Sequence, residues 1–255
     1  MSCAFPWVVR EACIQGNLVR EACRKGDLAT AQRLFNRNGG MAWVVSSFQD
    51  ACRHGHLHVA QWLYGLGSVD AHLLGVEFVC ACRHGDKVFM QWLHGLGACH
   101  DAEVTRHGFW EVCRNGDLEL AQWLHGLGGV NIHDSDDHAF QEACHSGRLD
   151  VPKWLLSLGG VDIHAPAEED WAFSGACSSG CTVVAKWLLS LGGVHIHALN
   201  DAAFRGACEN AHDDTARWLL GLDPQWAWPR RHLKGLKTWS WPRDVWVRAV
   251  LGIRC

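Results

Sequence analysis

Apolar positions fall into two alternating stripes along most of the chain. In residues 137–161, Phe140, Ala143, Cys144 and Gly147 stand at i, i+3, i+4 and i+7, one face of a helix. A second run, Leu149, Val151, Trp154, Leu155 and Leu158, closes on Gly159-Gly160. The pattern predicts a first helix of about nine or ten residues, a tight turn and a second helix. Gly147 and its equivalents Gly26, Gly55, Gly85, Gly116 and Gly180 suit the left-handed residue that ends a helix. Pro152 falls in a first turn, where its missing amide costs little. Leu118, Ala121, Leu124 and Leu127 form an equivalent second stripe. Asp137, Asp170 and Asp201 each precede a Phe by three residues, where a carboxylate could cap free amides. The alternating linker Gly160-Val161-Asp162-Ile163-His164-Ala165 reads as an extended finger or hairpin.

The cassette recurs. Cys23, Cys52, Cys82, Cys113, Cys144, Cys177 and Cys208 occupy one equivalent position, separated by 29, 30, 31, 31, 33 and 31 residues. A fixed period of this size marks a repeat architecture. Helices this short are marginal alone, so stability must come from stacking Phe140, Cys144, Leu155, Leu158 and their equivalents on the next unit. The expected fold is an all-α solenoid of about seven helix-turn-helix-loop repeats with an N-terminal partial repeat. Residues 1–18 read as a partial capping repeat, 19–223 as the array, and 224–255 as a Trp-rich basic tail. Helices of about 13 residues, as in 34-residue tetratricopeptide units, do not fit between two glycine stops per unit.

Composition adds limits. Hydrophobic residues make up 48% and charged residues 20%, the balance of a folded protein. No apolar run reaches the roughly 18 residues of a membrane helix, and residues 1–10 do not read as a secretory signal. A cytoplasmic monomer is expected. The thirteen cysteines are odd in number, and the repeated ones stand too far apart in stacked helices for disulfides, so they read as reduced, buried thiols. The net charge of −4 divides into about −10 over residues 1–223 and +6 beyond, which does not make a basic nucleic-acid groove.

Chemistry is sparse. The Cys and the His two positions later in Cys52-Arg53-His54 and Cys82-Arg83-His84 point to different sides of a helix, and Cys144-His145 forms no paired zinc spacing, so no metal site is expected. His133, His164 and His197 recur in an Ile-His loop and read as rings bonded to backbone at the loop base. The ladder Trp62, Trp92, Trp123, Trp154, Trp187 and Trp218 reads as packing between second helices. No nucleophile–base set and no phosphate loop stands out, so no catalysis and no cofactor is expected.

The pattern Ala-Cys-x-x-Gly-x-Leu-x-x-Ala-x-Trp-Leu-x-x-Leu-Gly-Gly-Val-x-Ile-His resembles the ankyrin repeat over residues 10–223. It is similar to the divergent arrays encoded by large DNA viruses and some protists. The Thr-Pro-Leu-His tetrapeptide of that family is absent; His138-Ala139-Phe140-Gln141 stands in its place, and Phe packing and the loop Ile-His are expected to replace its ties. The resemblance implies a protein-interaction scaffold whose partner contacts first-helix residues and loop tips. The candidates are Gln49, Arg53, Arg83, Asp101, Glu103, Arg114, Asp134, Gln141, His145, Glu168, Glu169 and Arg205. The tail segment with Trp241, Pro242, Asp244, Trp246 and Leu251 resembles the start of an F-box. That resemblance implies an alternative, a substrate adaptor recruiting a cullin ubiquitin ligase through a Skp1-type adaptor; the other reading of the tail is a cap on the last repeat.

Overall fold

The computed structural model describes residues 16–38, 41–165 and 169–223. They are all-helical, with no strand among them. The chain divides into two compact units, Met1–Gly108 and Phe109–Cys255.

In the first unit, α1 (residues 16–24) pairs with α2 (Leu28–Asn38), α3 (Val44–Arg53) with α4 (Leu57–Tyr64), and α5 (Ala71–His84) with α6 (Lys87–Gly95), before α7 (Ala102–Asn115) begins. In the second unit, the end of α7 precedes α8 (Leu118–Gly126). The pairs α9 (Asp134–Cys144) and α10 (Asp150–Leu158), α11 (Trp171–Ser178) and α12 (Thr182–Leu191), and α13 (Ala198–Glu209) and α14 (Asp213–Leu222) follow. Each seven-fold repeated cysteine thus lies near the end of the first helix of a pair.

The turn within each pair is built as its glycine predicts. Gly26, Gly55, Gly85, Gly116, Gly147 and Gly180 all have φ between 68° and 74°. The residue after three of them begins the next helix: Asp27, Asp86 and Asp117 accept the amides of Thr30, Phe89 and Leu120 at 3.0, 3.0 and 3.1 Å. These carboxylates neutralise free amide donors of the second helix. The last pair has Ala211 at the left-handed position, φ 59°. A Cβ there is strained, so Ala211→Gly is expected to raise stability by about 1 kcal/mol, read as a higher urea midpoint with an unchanged slope.

The core is the first-helix stripe facing the second-helix stripe. Phe48, Phe78, Phe109, Phe140, Phe173 and Phe204 are at most 2% exposed, and Cys23, Cys82, Cys113, Cys144, Cys177 and Cys208 are also buried. From the second helices come pairs such as Val151 and Leu155, both fully buried. Burying a Phe or Leu contributes roughly 1.5–3 kcal/mol. The ladder tryptophans, Trp62, Trp92, Trp123, Trp154, Trp187 and Trp218, are half-buried. Trp92, Trp154, Trp187 and Trp218 lie 6.3–6.4 Å from Phe48, Phe109, Phe140 and Phe173 of the pair before them. Each Trp therefore covers the Phe on the first helix of the preceding pair; its packing role holds, but its ring partner there is a first-helix Phe and not a second helix.

Two expectations need correction. Leu127, Leu158 and Leu191, assigned to the buried stripe, are 38–42% exposed. Each stands at the end of its helix, where the following glycine turns the chain away. The linkers form no finger or hairpin among the described residues: 161–162 are irregular and 163–165 form a turn. Their backbone groups bond to side chains instead.

Candidate functional site

Where the linkers meet, His and Asp build a recurrent tie. His133 Nδ1 donates to Asp137 Oδ1 at 2.7 Å, and Asp137 Oδ2 accepts the amide of Asp162 in the next linker at 2.8 Å. One repeat on, His164 Nδ1 donates to Asp170 Oδ1 at 2.6 Å, and Asp170 Oδ2 accepts the amide of His195 at 2.7 Å. His197 meets Asp201 at 2.7 Å and Asp223 at 3.0 Å. The tie explains the second residue of the Gly-Gly pairs: a Cβ on Gly160 would lie 3.0 Å from the His133 ring, and one on Gly193 2.9 Å from His164. Asp137 and Asp170 do not cap helices, as their spacing before Phe suggested, and the His133 and His164 rings bond carboxylates rather than backbone. Neighbouring pairs are thus tied by this His–Asp–amide chain and by Trp on Phe.

The same linkers carry strain. Ser135, Asp136 and Asp137 have φ of 54–58°, and Leu199, Asn200 and Asp201 have φ of 52–61°. Three successive left-handed residues cost roughly 1–2 kcal/mol each, so other bonds must hold them. Gln141 Nε2 donates to Asp136 O at 2.8 Å, and Arg205 Nη1 to Asn200 O at 3.3 Å. Gln141 is 5% exposed. Two partner candidates are thus engaged in holding the chain, and Gln141 is too buried to present its amide to another protein.

On the turn side, the carbonyl that follows three of the repeated cysteines, at the free end of its helix, takes a donor from the next pair. His56 Nε2 reaches Arg24 O at 2.9 Å, Cys181 Sγ reaches His145 O at 3.3 Å, and Asn210 Nδ2 reaches Ser178 O at 2.8 Å.

The outer face of the first helices carries charges in register. Arg20 and Arg24 meet Asp50 at 2.9 and 3.5 Å, and Arg114 pairs with Glu142, which His138 also approaches at 3.3 Å. Burial pulls the Glu142 carboxyl upward, but the Arg114 bond and charge, with His145 and His138, outweigh it and hold it below the usual range. Arg53 and Arg83 are exposed. Asp101 caps Glu103 N at 2.9 Å, and Glu103 pairs with Arg106. Gln49 and Asp134 are half-buried, as is His145, whose Nδ1 lies 2.9 Å from Gln141 O. Glu169 accepts Trp171 Nε1 at 2.6 Å. Glu168 and the tail residues Trp241, Pro242, Asp244, Trp246 and Leu251 lie outside the described residues, as does the capping repeat before residue 16.

Glu77 differs from these acids. It is 4% exposed, and burial pushes its carboxyl up to about 7, only partly opposed by the Arg53 charge. The folded protein therefore holds this proton across a range where the unfolded chain, with an ordinary carboxyl near 4.5, releases it. Stability should fall as pH rises from about 4.5 to 7 and carry the full penalty above 7, on the order of 2–3 kcal/mol. Glu77→Gln is expected to flatten this dependence, raising the melting temperature at pH 8 relative to the parent and leaving the difference small at pH 5.

Burial also pushes the thiols up, Cys23 and Cys99 to about 11 and Cys208 to about 12. Such thiols stay protonated and pack as small apolar groups. Among the described residues no disulfide forms, and no three His, Cys, Asp or Glu converge to hold a metal ion. None of the described helices is long and apolar enough to cross a membrane.

One concavity in the second unit has a distinct lining. A shallow groove of about 320 Å³ runs over α9 and α11 to α13, bordered by His138, Glu142, His145 and Trp171, with Gly175 and Ser178 in its lining. Trp171 is 45% exposed. Sequence reading passed over it because it lies off the apolar stripe. That same off-stripe placement beside Ala172-Phe173 is the signal that it faces outward. Comparison with known proteins finds no matching family model and no significant similarity to a curated protein.

Proposed function

We propose that the chain is an ankyrin-like repeat scaffold without catalytic function, which binds a protein partner on its first-helix face and loop tips. The observation that carries this reading is the division of labour between positions. Phe, Ala, Cys, Trp and Gly at the repeated positions are spent on the core, on covering neighbouring pairs and on turns. What the core and the turns leave uncovered is the outer first-helix surface, with Arg53, Arg83 and Trp171 exposed. Repeat arrays use such a face for binding because the fold does not constrain it.

The test compares two surfaces. One variant changes Arg53, Arg83 and Trp171 to Ala. The other changes Gln61, Gln91 and Gln122, exposed on the second helices, to Ala. Each full-length protein is used as bait in extract of its native cell, with circular dichroism to confirm folding. The scaffold reading expects a partner retained by the parent and the second-helix variant and lost by the first-helix variant. A partner lost only by the second-helix variant would place binding on the opposite surface and overturn the reading.

A further inference from the structure

The geometry points to a cationic peptide segment as the occupant of the second unit's groove, with an Arg or Lys side chain on the indole face of Trp171 and the Glu169 carboxylate beside it. This rests on the scaffold reading and names the partner's chemistry. Three observations carry it.

Charge is divided unevenly between the two units. Residues 109–223 hold six Lys or Arg against seventeen Asp or Glu, a net of −11, whereas residues 1–108 hold ten against nine, a net of +1. A field of that sign raises the local concentration of cations and their rate of encounter. The groove itself lies in the acidic unit, and neither Lys nor Arg lines it.

Small residues, Ser174, Gly175, Ser178 and Ala202, make up much of the groove's lining. The position two residues before the repeated cysteine is Glu21, Asp50, Cys80, Glu111 and Glu142 in the first five pairs but Gly175 in α11 and Gly206 in α13. Ser174 and Ser178 flank Gly175, leaving room for an extended backbone. The His145 ring leans into the same space, 2.4 Å from where a Gly175 Cβ would stand.

Trp171 supplies the anchor. Its indole is 45% exposed, while its N–H is tied to Glu169 at 2.6 Å. The bond orients the ring and places a carboxylate at its edge. An aromatic face with an anion alongside is suited to a guanidinium or ammonium group.

The probe is a fluorescein-labelled octapeptide alternating Arg and Ser, titrated with full-length protein at 150 mM NaCl, with the Glu–Ser octapeptide as control. Saturable binding of the Arg peptide alone is expected. Trp171→Ala should weaken it about tenfold, Glu169→Gln severalfold, and Asp214→Asn, whose side chain is 92% exposed on α14, less than twofold. Equal weakening by the two acid variants, with Trp171→Ala silent, would reduce the effect to the general field and overturn the groove assignment. Absence of Arg-peptide binding would overturn it as well. Either failure leaves the scaffold reading standing if the first-helix variant still loses its native partner; if that partner ignores the first-helix variant, the scaffold reading fails whatever the peptide does.

Discussion

Asp170→Ala is expected to lower the stability of the second unit by about 3 kcal/mol, although no apolar contact is removed. Asp170 is 1% exposed and accepts two bonds, from the His164 ring at 2.6 Å and from the His195 amide at 2.7 Å. Hydrogen bonds to a charged group contribute roughly 1.5–3 kcal/mol each, and a buried donor left without its acceptor adds a desolvation cost. The figure is set near the low end for two bonds because His164 and His195 retain some exposure to water. Urea unfolding should show the loss, and hydrogen exchange should show the His195 amide losing protection in the folded state. A change below about 0.5 kcal/mol would mean that the tie is worth no more than an exposed ion pair.

Phe140→Ala should be larger, about 3–5 kcal/mol. The ring is 1% exposed and lies 6.3 Å from Trp187 of the following pair. Truncation leaves a cavity and uncovers one side of that indole. The unfolding midpoint should drop and tryptophan emission of the folded protein should shift to the red. Leu158→Ala is the contrast: the sequence stripe treats Leu158 as an equal core member, but at 42% exposure it should cost about 1 kcal/mol or less. Equal losses at the two positions would contradict the assigned packing.

These two substitutions mark the boundary between what could be read from the chain and what could not. Phe140, Cys144 and Gly147 were legible because helix burial obeys a period of 3.6 and the cassette repeats it seven times, so chance matches cancel. The seven pairs and their glycine turns follow from the same arithmetic. Asp137 and Asp170 were misread as helix caps because capping is a local rule, three residues long, whereas their true partner is an amide 25 residues away in the next linker. Their spacing from His also varies, four residues for His133–Asp137 but six for His164–Asp170, which hides the equivalence. The extra two residues there account for the 33-residue step between Cys144 and Cys177. Left-handed φ at Ser135, Asp136 and Asp137 leaves no glycine signature at all. Leu127 and Leu158 failed for a simpler reason: periodicity continues to the last helical residue, but coverage by a neighbour does not.

The binding surface was the least legible part. Gln141 and Arg205 read as partner contacts because the resemblance puts first-helix residues on the binding side. Both also hold the carbonyl of a strained turn five residues back. Trp171 has no equivalent in the other pairs, and an unrepeated position carries no signal in a single sequence. Trp171 became visible only with the exposure of its ring.

Pairs that stack as interchangeable units should tolerate the loss of one whole period. Removing residues 113–143 excises one 31-residue period and joins Val112 to Cys144, preserving the register of Phe, Ala and Cys. The shortened protein should keep the same helical signal per residue in far-ultraviolet circular dichroism. It should unfold cooperatively with a smaller urea slope, because less surface is exposed on unfolding. Loss of the helical signal, or a chain that no longer unfolds cooperatively, would show that the second unit is one indivisible core and would contradict the repeat scaffold.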